Sequence, residues 1–383
     1  MTKKKKSAST KKRVPTIVVV GAILLFLFYL FTGNDPLGIF SSPEDSNITA
    51  VIGSGGDWWQ VYFTDPLPDY DPNNMDGTVA AELINQINNA QETIHIASFE
   101  FNLTAVAEAL IAAHNRGVDV RWVTDDEFGL ETDEEMDRGQ FAMLTAAGIE
   151  IVDDARSALM HNKFWIFDGQ IVWTGSTNIT KNGIFRNNNN VIVVESAEVA
   201  AMFTREFDEM WAGEFGPRSP STLSEQTTII QGTPVEILFA PEDKVMDELV
   251  PLIDQARDNI KFMAFSFTHD GLGDAMLAKA AAGVDVSGIF ETRGSKTEYS
   301  ELPKMFCANL AVRQDGNPGT FHHKVIIIDD RIVITGSLNF SDNANNSNDE
   351  NVIIVNNSDI AAQYLQEFQR RWQEAKTPDA IDC

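Results

Sequence analysis

The chain has 383 residues, 43% of them apolar, with 56 acidic against 29 basic side chains and a formal net charge of −27. Such a length has room for two ordinary domains, each burying its own core. Charge of that sign works against general attraction to DNA, RNA or anionic lipid surfaces, although a locally positive cleft stays possible because salt screens within about 8–10 Å.

The N-terminus carries seven basic residues, Lys3 to Lys6, Lys11, Lys12 and Arg13, followed by an uncharged apolar run from Ile17 to Phe31. This pattern predicts an uncleaved signal anchor, with a cleaved signal peptide or a buried helix as the alternatives. The basic cluster holds the N-terminus in the cytoplasm and sends the remainder outside. Without those seven, 22 basic residues face 56 acids, so the exported part carries about −34. A stretch rich in Gly, Ser, Asp and Pro then reads as a tether.

Beyond it, Val79, Leu83, Ile84, Ile87 and Ala90 recur at helical spacing, and Ile94 and Ile96 begin a strand. A second helix runs from Ala105 to about Arg116 and stops at Gly117; Val118 to Val123 and Ile149 to Val152 are further strands. The second half repeats the order, with Val245, Leu249, Leu252 and Ala256 on one helix face and a strand from Ile260 to Phe267. Gly216-Pro217-Arg218-Ser219-Pro220-Ser221 reads as the linker between the halves. Strands alternating with helices imply a layered α/β sheet in each half.

The halves are an internal repeat. His161-Asn162-Lys163, Asp168 and Gly175-Ser176-Thr177-Asn178 recur 161 residues later as His322-His323-Lys324, Asp329 and Gly336-Ser337-Leu338-Asn339. Both copies fit HxKxxxxDxxxxxxGSxN without gaps. The offset of 161 persists through Asn190/Asn351, Glu206/Glu367 and Trp211/Trp372, but upstream it becomes 166, as in Phe99/Phe265 and Phe101/Phe267. Unit one therefore holds five extra residues, placed in the acidic stretch Asp125 to Asp137 near the mouth of the site.

Apolar residues continue past each His, which predicts a strand through the motif with His161 beside Lys163, and His322 beside Lys324, on one face. Asp168-Gly169 and Asp329-Asp330 make a hairpin turn that returns Gly-Ser-x-Asn to the same place. An imidazole, an ammonium and an amide in duplicate are the parts for phosphodiester chemistry. Paired in identical context, the two histidines are poorly explained as ordinary core residues. His323 should face away and be incidental, and the unrepeated His95, His114 and His269 are structural.

This pattern resembles the phospholipase D superfamily, whose signature is HxKxxxxD in two copies, over about 320 residues. The resemblance implies two pseudo-symmetric phospholipase-D-like α/β/α sandwich domains preceded by an N-terminal transmembrane helix. The segments become a cytoplasmic tail 1–14, an anchor 15–32, a tether 33–56, repeat one 57–215, a linker 216–232, repeat two 233–376 and a tail 377–383. It implies a catalytic set of His161, Lys163, Asp168, His322, Lys324 and Asp329, with Asp168 and Asp329 also explained by turn capping. One histidine attacks phosphorus and forms a phosphohistidine, and the other protonates the leaving alcohol and later activates water. By analogy His161 is the nucleophile. Lys163, Lys324, Asn178, Asn339, Ser176 and Ser337 grip the phosphate oxygens. Of the polar loops after each motif, only Asn190 and Asn351 hold matching positions.

A carboxylate about 28 residues after the His is expected to orient the imidazole. Glu350 stands there for His322, but Asn189 occupies the place in repeat one, so the two roles could be exchanged; Glu100 is a substitute carboxylate. No metal or other cofactor is implied, and no HExxH or CxxC is present. Cys307 and Cys383 are either a disulfide of the exported part or two free thiols.

The favoured activity is hydrolysis or transfer of the phosphatidyl group of glycerophospholipids at a membrane surface, by a monomer because both motifs lie in one chain. A membrane-anchored nuclease is the alternative, disfavoured by the few basic residues near the motifs. A cardiolipin-synthase-like transferase and a non-catalytic binding protein are weaker readings.

Overall fold

The structure is a computed structural model that describes residues 51–67 and 69–383. The expected cytoplasmic tail and anchor lie outside the described residues. Among the described residues no helix is long and apolar enough to cross a membrane.

The first half contains β1 Val51–Gly55, β2 Trp59–Thr64, α1 Val79–Asn89, β3 Thr93–Ser98, α2 Thr104–Asn115, β4 Asp119–Thr124, α3 Gln140–Ala146, β5 Glu150–Asp153, β6 Lys163–Phe167, β7 Ile171–Gly175, α4 Lys181–Phe185, β8 Asn190–Glu195 and α5 Ala197–Trp211. The second contains β9 Thr227–Ile230, β10 Thr233–Ala240, α6 Val245–Asp254, β11 Asn259–Ala264, α7 Asp270–Ala281, β12 Asp285–Phe290, α8 Glu301–Cys307, β13 Ala311–Gln314, β14 Lys324–Ile328, β15 Ile332–Gly336, α9 Asp342–Asn346, β16 Glu350–Asn356 and α10 Ser358–Glu374.

Each half builds one eight-stranded mixed sheet. The orders are β1-β2-β8-β7-β6-β3-β4-β5 and β9-β10-β16-β15-β14-β11-β12-β13, the same topology twice. In both, two parallel pairs (β3-β4-β5 and β11-β12-β13) reflect helical crossovers, while β6-β7-β8 and β14-β15-β16 are antiparallel meanders. Central strands such as β6 and β14 are buried along their whole length, because helices cover both faces.

Three apolar cores result. α1 and α2 cover the outer face of the first sheet, and α6 and α7 that of the second. The third core joins the halves: Phe203 and Phe207 of α5 and Tyr364 and Phe368 of α10 pack with Ile166, Val194, Ile237, Ile327 and Val355 from both sheets. The two α/β halves thus share a central helical layer.

Two expected boundaries shift. The tether expected to reach residue 56 ends earlier, because Val51–Gly55 pairs with β2 from Val51↔Thr64 to Gly55↔Gln60. The linker likewise holds β9: Thr227-Thr228-Ile229-Ile230 is a β-branched run ahead of a Gln231-Gly232 turn with φ of 47° and 85°, which makes a hairpin with β10. The extra residues of unit one do lie after β4, between Thr124 and Gln140, where Asp126–Leu130 and Glu131–Glu134 add two short helical turns. Cys307 and Cys383 are joined by a disulfide, Cα–Cα 5.4 Å.

Candidate active site

The backbone of each motif is set by the opposite half. His161 N–H donates to the Asp349 carbonyl (2.9 Å) and His322 N–H to the Asn188 carbonyl (2.9 Å). For this reason the strands begin at Lys163 and Lys324: at each histidine the chain leaves its own sheet to pair across the interface.

The imidazoles follow the same exchange. His161 Nδ1 lies 2.7 Å from Glu350 Oε2 of the second half. His322 Nδ1 lies 3.0 Å from the Ser176 carbonyl and 2.9 Å from Asn189 Oδ1 of the first half. The sequence expectation was the reverse, since it paired Glu350 with His322 and left His161 without a carboxylate. Counting along one chain pairs neighbours within a repeat, whereas the pseudo-twofold pairs them across it. Glu100 is not the partner of His161 either; its charge acts on Lys163. With acceptors at Nδ1, that nitrogen carries the proton on each ring and Nε2 presents a lone pair.

Lys163 Nζ donates to the His161 carbonyl (2.8 Å) and Lys324 Nζ to the His322 carbonyl (3.0 Å). Lys163 is 2% exposed and Lys324 1%, and among the described residues neither has a carboxylate at ion-pair distance. Each ammonium sits over a phenylalanine, Lys163 over Phe99 (5.0 Å) and Lys324 over Phe265 (4.7 Å). The same rings pack on the imidazoles, Phe99 on His161 at 4.8 Å and Phe265 on His322 at 4.9 Å. Sequence reading matched these phenylalanines across the repeats but assigned them to strands; their place directly past β3 and β11 was the usable signal.

Electrostatics bind the two motifs into one site. Burial, then the charges of Lys163 and Lys324, hold the His161 pKa well below the ordinary value. Burial, Lys324, Lys163 and His161 do the same for His322. Burial lowers Lys163 to about 8 and lowers Lys324 well below the ordinary lysine range. Burial also raises Glu350 to about 7. Two crowded ammonium groups with one shared carboxylate form a site short of negative charge, suited to an anion.

The remaining expected residues separate into two groups. Asn178 and Asn339 make no side-chain hydrogen bond among the described residues, and each Oδ1 is buried without a partner. Ser176 and Ser337 do not point at a phosphate: Ser176 Oγ donates to Asn189 Oδ1 (2.8 Å), and Ser337 Oγ accepts from Asn351 N–H (2.9 Å) and helps to hold down the pKa of Glu350. They hold the orienting groups. The preceding glycines allow this approach, since a Cβ on Gly175 (φ 147°) would lie 2.3 Å from the Asn190 carbonyl and on Gly336 (φ 152°) 2.1 Å from that of Asn351. Asn190 and Asn351 stitch the halves, accepting from Thr335 Oγ1 (2.8 Å) and Thr174 Oγ1 (2.7 Å) respectively.

Asp168 and Asp329, carried with the catalytic set from the sequence, lie at the far ends of β6 and β14. Asp168 accepts the backbone N–H groups of Gln91, Glu92 and Thr93, and Asp329 those of Arg257, Asp258 and Asn259. They fix the turns. His323 faces away from the site, as expected, but is not incidental: it is fully buried, with Nδ1 3.1 Å from Asn190 Nδ2 and Nε2 3.4 Å from Glu367 Oε1. His269 caps α7 and His95 stacks on Phe207, both structural. One carboxylate cluster, Asp125, Asp126 and Asp154, brings its oxygens within 4.8 Å, but Asp125 and Asp154 accept backbone N–H groups and Arg156 faces Asp154.

Residues 83–211 and 249–372, more than half of the chain, match the family model "Cardiolipin synthase, PLD-like domain". The chain belongs to the phospholipase D superfamily. It is 33% identical over 132 residues to the mitochondrial cardiolipin hydrolase of Xenopus tropicalis, covering 34% of this chain and 63% of that protein. It is 34% identical over 137 residues to a phospholipase D of Rickettsia bellii, covering 36% of this chain and 68% of that one. The chain thus spans a little under two thirds of the frog protein's length. Phosphatidylserine synthase of Haemophilus influenzae shares the fold, with TM-score 0.61 and 15% identity over 79% of this chain and 85% of its own. Proteins named for phospholipase D and cardiolipin hydrolase place this chain in a superfamily of phosphodiester hydrolases.

Proposed function

We propose that the chain is a phospholipase-D-type phosphodiesterase that passes the phosphatidyl group of a glycerophospholipid to water or an alcohol through a phosphohistidine. The observation that carries this reading is the pair of buried lysines that, among the described residues, have no carboxylate at ion-pair distance, flanked by two imidazoles whose Nε2 atoms make no hydrogen bond there. A phosphodiester supplies the missing negative charge, and Lys163, Lys324, Asn178 and Asn339 hold its non-bridging oxygens.

His161 Nε2 attacks phosphorus, and Glu350 stabilises the positive charge that grows on its ring. The bound anion favours a doubly protonated His322, whose Nε2–H passes its proton to the leaving oxygen as the bond from phosphorus to that oxygen breaks. In the second step His322 takes a proton from water or alcohol, whose oxygen displaces His161. Glu350 on His161 supports this assignment, and the amide of Asn189 leaves His322 freer to give and take a proton.

A lipid rather than a nucleic acid is supported by exposed acids beside the site, Glu127, Glu131, Glu134, Glu135 and Asp137. The N-terminal basic-apolar segment serves as the proposed membrane anchor with the body outside the cytoplasm, and the disulfide suits that oxidising location.

The test is incubation of the full chain in EDTA with phospholipid vesicles and a primary alcohol, and separately with single-stranded DNA. Phosphatidyl-alcohol is the expected product, and cleavage of DNA alone refutes the lipid reading. With a substrate bearing a nitrophenol leaving group, His322→Ala accumulates acid-labile phosphoenzyme and His161→Ala none. The opposite pattern exchanges the roles.

A further inference from the structure

The two sides of the shared site differ in shape. On the side of the first half, the five extra residues fill the space past β3 and β4. Phe128 packs on Phe99 (5.1 Å), and the chain at Gly129 lies so close to Thr124 that a Cβ there would stand 2.3 Å from the threonine hydroxyl. The second half lacks those residues, and a cavity of about 200 Å3 is left at the carboxyl ends of β11 and β12. Phe265, which packs on both His322 and Lys324, lines it, together with Ser266, Thr268, Ser295, Ser300 and Arg293.

Its polar character is specific. Among the described residues the Ser266 and Thr268 hydroxyls make no hydrogen bond. Ser295 and Ser300 are already engaged, Ser295 with Gln314 (2.8 Å) and Ser300 with Leu302 N–H (3.3 Å). Among the described residues no carboxylate lines the cavity, and the charged residue in its lining is Arg293, tied to the Gly319 carbonyl (2.7 Å) and 3.9 Å from the buried Glu291 carboxylate behind it, with its own side chain 69% exposed.

We propose that this cavity is the leaving-alcohol subsite and that it takes a small hydroxylated alcohol without positive charge, such as a glycerol headgroup. The proposal rests on His161 as nucleophile toward a phosphatidyl substrate. Displacement at phosphorus is in line, so an attack from His161 sends the leaving oxygen to the opposite side, toward His322. There the free hydroxyls of Ser266 and Thr268 meet the hydroxyls of the alcohol. A quaternary or primary amine finds no carboxylate and faces Arg293. In the first step His322 gives its proton to the glycerol oxygen as the phosphorus–oxygen bond breaks. With glycerol as acceptor the same subsite runs in reverse: its hydroxyl loses a proton to His322, its oxygen bonds phosphorus, and the bond to His161 breaks.

The experiment compares phosphatidylglycerol, phosphatidylcholine and phosphatidylmethanol of identical acyl chains, with the full chain in mixed micelles. Wild type is expected to favour the glycerol over the choline headgroup at least tenfold in kcat/KM. Thr268→Phe, which fills the cavity, lowers the ratio of phosphatidylglycerol to phosphatidylmethanol turnover at least tenfold. The volume-conserving pair Ser266→Ala with Thr268→Val lowers it about fivefold. An unchanged ratio in both variants, or a preference for choline, overturns the subsite while leaving the phospholipase reading intact. Failure of wild type to cleave any of the three lipids overturns that reading, and the subsite with it.

Discussion

The two halves share a topology but not an interior. In the second, His323, Glu367 and Arg371 form a buried charged network. Glu367 Oε1 accepts from Arg371 Nε (2.7 Å), and hydrogen bonding to His323 with the charge of Arg371 outweighs burial to hold Glu367 down at about 2. At the matching positions of the first half stand Asn162, Glu206 and Met210. There, among the described residues, Glu206 has no cation at ion-pair distance and its charge is coupled to that of Glu242 from the second half, burial raising Glu206 well above the carboxylate range and Glu242 to about 8. One fold therefore tolerates an ionised carboxylate in the second copy and, at the matching position of the first, one pushed towards its protonated form. What both copies keep is the geometry that aims histidine and lysine at the interface.

The sharpest way to break the comparison is at the imidazoles. His161→Ala and His322→Ala should each lower turnover roughly 10⁴-fold, measured as phosphatidyl hydrolysis. Near-normal rates in either would mean that the halves act separately. The next effect distinguishes the orienting groups. Glu350→Gln should cost roughly 10²-fold in kcat and Asn189→Ala less, because only the carboxylate stabilises a cationic ring. Equal losses would remove the asymmetry.

Stability separates the two centres in opposite directions. Glu367→Gln removes the buried charge partner of Arg371 and leaves it only the more exposed Asp65 and Glu374, which should cost about 3 kcal/mol in chemical denaturation at neutral pH. Glu206→Gln should be neutral or stabilising there. The signs follow from linkage. Glu367 is lowered, so its contribution is complete above the ordinary 4.5 and is lost as pH falls towards about 2. Glu206 and Glu242 are raised, so their contribution is present below 4.5 and is lost as pH rises, for Glu242 through about 8. A fourth and smaller effect tests what the halves have in common: Asp168→Ala and Asp329→Ala should each destabilise by about 2 kcal/mol and shift both denaturation midpoints alike.

The repeat made much of the fold and site readable. Hydrophobic spacing marks helices such as α1 and α6, and the 161-to-166 change of offset locates the extra residues of unit one. His161, His322 and both lysines are legible because the same residue types recur in register. The orientation of Glu350 is not legible, since nothing in one strand of text shows that β16 of one half ends beside the motif of the other. Asp168 and Asp329 stand in the motif with the catalytic set, yet the turn capping that also explains them from the sequence is the role seen: a turn that places three N–H groups on one carboxylate is as demanding as catalysis. The edge strand β1 hides in a glycine-containing stretch because its pairing partner, rather than its own composition, makes it a strand, and the four-residue β-branched run of β9 is easily lost in the polar linker around it.

The crossed Nδ1 partners also bear on how such a protein can change. A substitution at position 350 is felt by the imidazole of the other half, and one at 189 likewise, so a lesion in either is compensated only by its counterpart across the molecule. A doubled first half would give each ring an amide and a doubled second half would give each a carboxylate. The unequal pair therefore needs two unlike copies, and carrying both in one polypeptide guarantees that they meet.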